Sequence, residues 1–404
     1  MAGIAQAPLP AQDRILYLDV LRGAALFGVL AINMQQFAGT ERSNGVAEAF
    51  IAALIESKFI VLFSFLFGVG FAVQVSRARA RGVGFLSFYP RRLLALALFG
   101  LIHGIVIWTG DILLCYAISG ALLLLFRNQS QRAVLYWAGC FIGGTLVVSS
   151  APYAAAAFGL RALNEGNAET AASALQHTST SYAPRSFLRL IGDNWHTWLS
   201  SLGDLSMAIP LLSLFLLGLW VWRTGILERL DQNQPLLRRV CGVCLPLGLA
   251  LEATTALVPI LCPTTPFTLW FLNVPGLLFP PILSVGYATG LALLIQKGAW
   301  ERRLMPFAAV GRMALTNYLA QSVICTAFFL RTELYGKLGP SSDLALAAGL
   351  YTVQVVVSNW WLGHFRYGPM EWLWRGMTYG SFPAMLRSGG RLTAPRNRYL
   401  SARR

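Results

Sequence analysis

LYLDVLRGAALFGVLAIN, residues 16–33, decides which solvent this chain folds in. Asp19 and Arg22 stand three residues apart in an otherwise apolar run that continues to Asn33. In water an i,i+3 pair is an ordinary helix-surface contact, whereas in lipid each charge is costly. The rest of the chain answers for lipid. Of 404 residues, 56% are hydrophobic and 12% are charged, about half the charged share of an average soluble protein. Mean hydropathy is +0.57. Apolar runs of about 20 residues, the length an α-helix needs to cross the hydrocarbon core, recur along the whole sequence and leave no separate soluble domain.

Ten such segments are expected, at roughly 15–38, 50–76, 91–108, 111–127, 132–157, 203–223, 238–259, 273–296, 304–330 and 344–365. With the N-terminus in the cytoplasm, the inward loops and the tail from Arg366 hold 23 of the 32 Lys and Arg. The outward side holds only Arg42, Arg161, Arg185, Arg189, Arg331 and Lys337. That bias predicts an all-α, polytopic membrane helix bundle of about ten transmembrane helices, N-in and C-in, as one membrane domain over 1–404. The net charge of +15 then belongs to topology and lipid headgroups, not to a nucleic-acid interface. The first 14 residues lack a basic stretch followed by an apolar core, so no cleaved signal peptide is expected.

Two regions stand outside the spans. The external loop 158–202 ends in FLRLIGDNWHTWLSSL, where Phe187, Leu190, Trp195 and Trp198 suit a helix at the membrane interface, either a lid or a plain connector. Residues 366–404 read as a cytoplasmic interfacial helix and a basic tail. In RYGPMEWLWRGMTYG, 366–380, Gly-Pro breaks the preceding helix, Trp372 and Trp374 suit an aromatic belt, and Glu371 and Arg375 are spaced i,i+4. The six cysteines lie mostly in apolar runs and read as small buried residues. No metal site is expected, because Cys241-x-x-Cys244 has no second Cys or His pair nearby.

A charge at a helix centre costs on the order of 3 kcal/mol, so intramembrane charges are functional candidates. Here they are Asp19, Arg22, Glu56, Lys58, His103, Asp111, Asp204, Glu252 and Arg312. Glu252 has no local partner and reads as structural, whereas Arg22, Lys58, His103 and Arg312 each call for a counter-ion or a wet cavity. In GLIHGIVIWTGDILLCYAISG, 100–120, a tight hairpin brings His103 toward Asp111. Histidine accepts a proton near neutral pH, and a carboxylate fixes its tautomer. Asp111 also stands where a carboxylate caps a helix N-terminus. In GRMALTNYLAQS, 311–322, Asn317 and Gln321 share a face and serve either a polar ligand or a neighbouring helix.

LDVLRG at 18–23, KFIVLFSFLFGVGFA at 58–72, the 91–118 hairpin, GRMALTNYLAQS and GPMEWLWRGMTYG together resemble the YeiB family, whose C-terminal part is domain of unknown function 418. The opening motif is similar to those of acyltransferase family 3 and of heparan-alpha-glucosaminide N-acetyltransferase. The resemblance implies transfer of an acyl group from cytoplasmic acetyl-CoA or another acyl-CoA to an acceptor, commonly a sugar, across the membrane. In acyltransferase family 3 the first helix usually continues to a histidine. Asn33 stands there in this chain, so His103 has to serve as base by a separate argument.

The resulting enzyme hypothesis has His103 as general base, Asp111 orienting it, and Asn33 or Asn317 holding the oxyanion. Arg22, held by Asp19, together with Arg91 and Arg92, meets the CoA phosphates, while Lys58, Arg312, Asn317 and Gln321 line a cavity. The expected partners are membrane lipids, acyl-CoA and a small-molecule or glycan acceptor, with a homo-oligomer allowed. The location expected is the bacterial inner membrane. The alternative is a transporter of a small solute or lipid-linked intermediate. It is disfavoured by the absence of an internal repeat and of helices broken at midspan.

Overall fold

A computed structural model describes residues 15–40, 45–157, 187–200, 207–262 and 265–387. The described residues form fourteen α-helices and no β-sheet. In chain order these are α1 (Leu16–Ala38), α2 (Val46–Leu54), α3 (Lys58–Ala80), α4 (Tyr89–Ile102), α5 (Leu113–Leu123), α6 (Gln131–Ala157) and α7 (Phe187–Ser200). There follow α8 (Ala208–Arg223), α9 (Gln234–Leu261), α10 (Pro266–Ile295), α11 (Gly298–Arg312), α12 (Ala314–Arg331), α13 (Pro340–His364) and α14 (Pro369–Tyr379). The N-terminal 14 residues, most of the 158–202 loop and the basic tail from 388 lie outside the described residues.

Among the described residues, seven stretches are long and apolar enough to cross a membrane, and α11 with α12 makes an eighth as a bent pair. Two further apolar helices, Leu113–Phe126 and Ala208–Arg223, are shorter. The protein is an all-α integral membrane bundle. Its outward surface is apolar, with Leu94, Leu125, Val147, Val148 and Val356 each at least 65% exposed. That is the surface a lipid solvent requires.

Small residues let the central helices approach closely. A Cβ on Gly23 of α1 would lie 2.1 Å from the Phe307 carbonyl oxygen, and one on Gly311 would lie 1.9 Å from that of Asp19. This pair therefore locks α1 against α11 backbone to backbone.

Two expected spans are not single helices, which corrects the expectation of unbroken spans. The 50–76 segment breaks at Ile55–Ser57, where Ser57 takes a left-handed φ of 65°. The Lys58 ammonium donates to the Ala52 carbonyl at the end of α2 (2.5 Å) and to Glu252 Oε2 of α9 (2.8 Å). Tyr287 and Ser284 of α10 donate to the carbonyls of Leu54 (3.1 Å) and Lys58 (2.9 Å). In lipid a broken helix persists only where such groups satisfy its backbone.

The 304–330 segment is the second exception. It bends by 75° between α11 and α12, at Met313. Glu371 of α14 accepts from the backbone N–H groups of Leu315 (2.7 Å) and Thr316 (3.1 Å) and from the Thr316 hydroxyl (2.5 Å). A carboxylate at the exposed N-terminus of α12 is favoured by its free N–H groups and its dipole.

Candidate functional site

The hairpin at the end of the bundle opposite the basic loops carries the first cluster. The last turn of α4 widens into a π-turn over His103–Ile107, closed by the Trp108 N–H on the His103 carbonyl (2.8 Å). Such turns recur at functional sites. His103 Nδ1 lies 2.9 Å from Asp111 Oδ1, while Asp111 Oδ2 accepts from the Leu114 N–H at 2.9 Å. Both readings of Asp111 hold at once: one oxygen orients the histidine and the other caps α5. Gly100 makes room for this, since a Cβ there would stand 2.7 Å from Asp111 Oδ2.

A neutral imidazole that donates its Nδ1–H to Asp111 carries its lone pair on Nε2. Nε2 is buried and has no hydrogen-bond partner among the described residues, in a side chain that is 0% exposed. Tyr318 of α12 and Trp108 stand beside the imidazole, with ring centroids 5.2 and 6.1 Å away. Trp108 in turn packs on Phe37 at 4.4 Å. Asn33 is one turn before Phe37 on the same helix face. It is half-buried and makes no side-chain hydrogen bond among the described residues.

The amphipathic helix α7 covers this hairpin. Leu190 and Asn194 are buried, and a Cβ on Gly104 would meet the Trp198 indole at 3.4 Å. The expected interfacial helix therefore packs on the π-turn that carries His103, with Trp195 and Leu188 facing outward.

A second cluster occupies the basic face. Arg22 Nη1 and Asp19 Oδ1 pair at 2.9 Å, as the i,i+3 spacing predicts. Arg92 lies with its guanidinium 3.6 Å over the Trp374 ring, whose Nε1 donates to the Arg92 carbonyl at 2.8 Å. Arg91 is exposed and stands apart from this arrangement. Glu371 and Arg375 do not form the expected pair: Glu371 caps α12, and Arg375 lies over Tyr367 and Tyr379 at 5.3 and 5.4 Å.

Other sequence candidates sit elsewhere. Lys58 finds its counter-ion in Glu252, the residue for which no local partner was visible. Asn317 donates to Ser358 Oγ (3.0 Å), Gln321 to Gln354 Oε1 (2.7 Å), and Gln354 back to the Asn317 carbonyl (2.9 Å). These amides join α12 to α13 and are not turned to the histidine. Arg312 ends α11 at the bend, next to Gly311 and hence close to Asp19. Tyr318, Trp108, Asn194, Glu371 and Arg375 were not singled out as site residues. Tyr318 is adjacent to Asn317 in the quoted motif, and one helical step of about 100° turns it toward His103 instead of α13.

Residues 221–381 match the family described as protein of unknown function, DUF418. The uncharacterised protein YxaH of Bacillus subtilis is 34% identical, over 93% of this chain and 96% of its own length. The chain belongs to the YeiB family. Its relatives within that family include an uncharacterised 39.9 kDa protein from the amylase 3′ region of Bacillus acidopullulyticus, 28% identical over 94% of this chain and 98% of that one. The uncharacterised protein YeiB of Escherichia coli is 27% identical over 91% and 96%.

Proposed function

We propose that the protein is a membrane acyltransferase that takes an acyl group from acyl-CoA on the basic, cytoplasmic side and delivers it to a hydroxyl or amine near the opposite side. The observation that carries this reading is His103, with Nδ1 held by Asp111 and Nε2 buried and without a hydrogen-bond partner among the described residues. Nε2 removes the acceptor proton as the acceptor attacks the thioester carbonyl. The tetrahedral intermediate then collapses with cleavage of the C–S bond, and the imidazolium returns the proton to the departing CoA thiolate. Asp111 stabilises the imidazolium in between.

Asn33 is the better oxyanion donor, because the Asn317 amide is engaged by α13. Arg22 and Arg92 hold the donor's phosphates. Arg92 and His103 are eleven residues apart, about 16 Å along the helix, the order of distance a pantetheine arm has to cover. The bacterial homologues support a bacterial plasma membrane as the location.

The transporter reading gains from the two helix breaks, since broken helices mark substrate sites in transporters. Against it, Lys58, Tyr287, Ser284 and Glu371 occupy the backbone groups that such breaks would offer to a substrate.

Incubating purified protein in lipid nanodiscs with radiolabelled acetyl-CoA tests the proposal. Binding of CoA and release of free CoA thiol, with label transferred to an acceptor or to water, are the expected results. Absence of CoA binding would overturn the proposal.

A further inference from the structure

We propose that Arg22, Arg92 and Arg375 together form a site for a phosphate-ester anion, with α14 as the piece that completes it. This deepens the acyl-CoA reading by naming Arg375 and the phosphate end of the ligand. The same chemistry is offered by the headgroup of an anionic phospholipid.

Arg92 is stacked on Trp374, the neighbour of Arg375, and Phe71, beside the Gly70 that Arg22 approaches, packs on Tyr89 at 5.2 Å, one turn before Arg92 on α4. Neither Arg92 nor Arg375 has a carboxylate partner among the described residues, and Arg22 has one, Asp19. Three guanidinium groups thus share one carboxylate in a partly buried setting. Gathering like charges away from bulk water is unfavourable without a counter-charge. The positive-inside rule asks only that cations stand on the cytoplasmic side, as Arg91 does in the open, and it gives no reason to cluster them.

Geometry adds to this. Arg92 is stacked on Trp374, and the residue after Trp374 is Arg375, set against Tyr367 and Tyr379. Phe88 braces Tyr379 at 5.5 Å between ring centroids. Stacking on aromatic faces orients a guanidinium while leaving its edge N–H groups available, the arrangement suited to bidentate phosphate recognition. Arg22 reaches across from α1, its Nη2 3.8 Å from where a Cβ on Gly70 of α3 would stand. The three arginines come from α1, α4 and α14, and Glu371 anchors α14 in place through α12.

The test uses the full-length protein in nanodiscs of neutral phosphatidylcholine, with CoA and inorganic pyrophosphate as probes. Arg22→Gln, Arg92→Gln and Arg375→Gln are each expected to weaken binding by about tenfold or more. Arg91→Gln removes the same charge from the same face and is expected to leave binding within about threefold. In nanodiscs containing phosphatidylglycerol, native mass spectrometry reads the lipid. Lipid retained by the wild type and lost with Arg375→Gln, while CoA binding stays unchanged, identifies the headgroup as the ligand.

A second measurement needs no variant. Phenylglyoxal modification of the wild-type protein should spare Arg22, Arg92 and Arg375 when CoA or the anionic lipid is present, and not otherwise. The proposal is overturned if Arg375→Gln behaves as Arg91→Gln does toward both ligands, or if neither ligand protects the three arginines. Binding without any acyl transfer would instead overturn the catalytic reading and leave the anion site standing.

Discussion

Two buried pairs of ionisable side chains, Lys58–Glu252 and His103–Asp111, differ in what they leave unused. Both lie where a helix departs from regular form, and Lys58 and His103 are each at most 1% exposed. Lys58 spends its ammonium on a carboxylate and on the last turn of α2, and so holds a helix break closed. His103 spends one nitrogen on Asp111 and keeps the other free of any partner among the described residues. A pair whose cation is engaged on both sides acts as a structural clamp, whereas a pair with an unengaged basic nitrogen is prepared for a proton.

Four substitutions press on this contrast, the largest effect first. Lys58→Ala strands the Glu252 charge in the bundle and should cost about 3–5 kcal/mol of stability. The expected readouts are a sharp fall in folded yield and in unfolding temperature. Lys58→Met combined with Glu252→Met should recover most of that loss. A Lys58→Ala protein of wild-type stability would show that the clamp reading is mistaken.

His103→Ala should lower acyl transfer by about 10²–10⁴-fold and, by opening a cavity beside Asp111, also lower the unfolding temperature, less than Lys58→Ala does because Asp111 keeps the Leu114 N–H. Asp111→Asn frees the tautomer and exchanges the α5 cap for a weaker one. It should reduce transfer less than His103→Ala does, with a loss of about 0.3–1 kcal/mol from removing the negative charge at the helix N-terminus. Circular-dichroism melts alongside turnover assays separate the two consequences.

Gln321→Ala marks the small end of the scale. An interhelical hydrogen bond within a membrane averages about 0.6 kcal/mol, so a slight fall in unfolding temperature and unchanged turnover are expected. A large loss of turnover with intact CoA binding would return Gln321 to the site.

The architecture was legible because lipid imposes length and apolarity on each segment, and the apolar runs follow one another in the order the helices take. The Asp19–Arg22 pair and the His103–Asp111 contact were legible too, because their partners are close in sequence. What stayed hidden depends on distant residues. KFIVLF reads as continuous helix, and its break before Lys58 is stabilised by Glu252, 194 positions away. The bend at Met313 has neither Pro nor Gly at the break itself and depends on Glu371. The spacing of Glu371 and Arg375 suggests a pair, but the free N–H groups at the start of α12 take the carboxylate while Arg375 stacks on Tyr367 and Tyr379. Asn317 and Gln321 share a face, as their spacing requires, yet nothing local says that α13 covers it.

The central claim is that His103 Nε2 takes a proton from the acceptor. It is tested most directly by comparing wild type and His103→Ala for acetyl transfer at saturating radiolabelled acetyl-CoA, with CoA affinity measured on the same samples. The account predicts loss of transfer with CoA affinity preserved within about threefold. Equal transfer by the two proteins would contradict it.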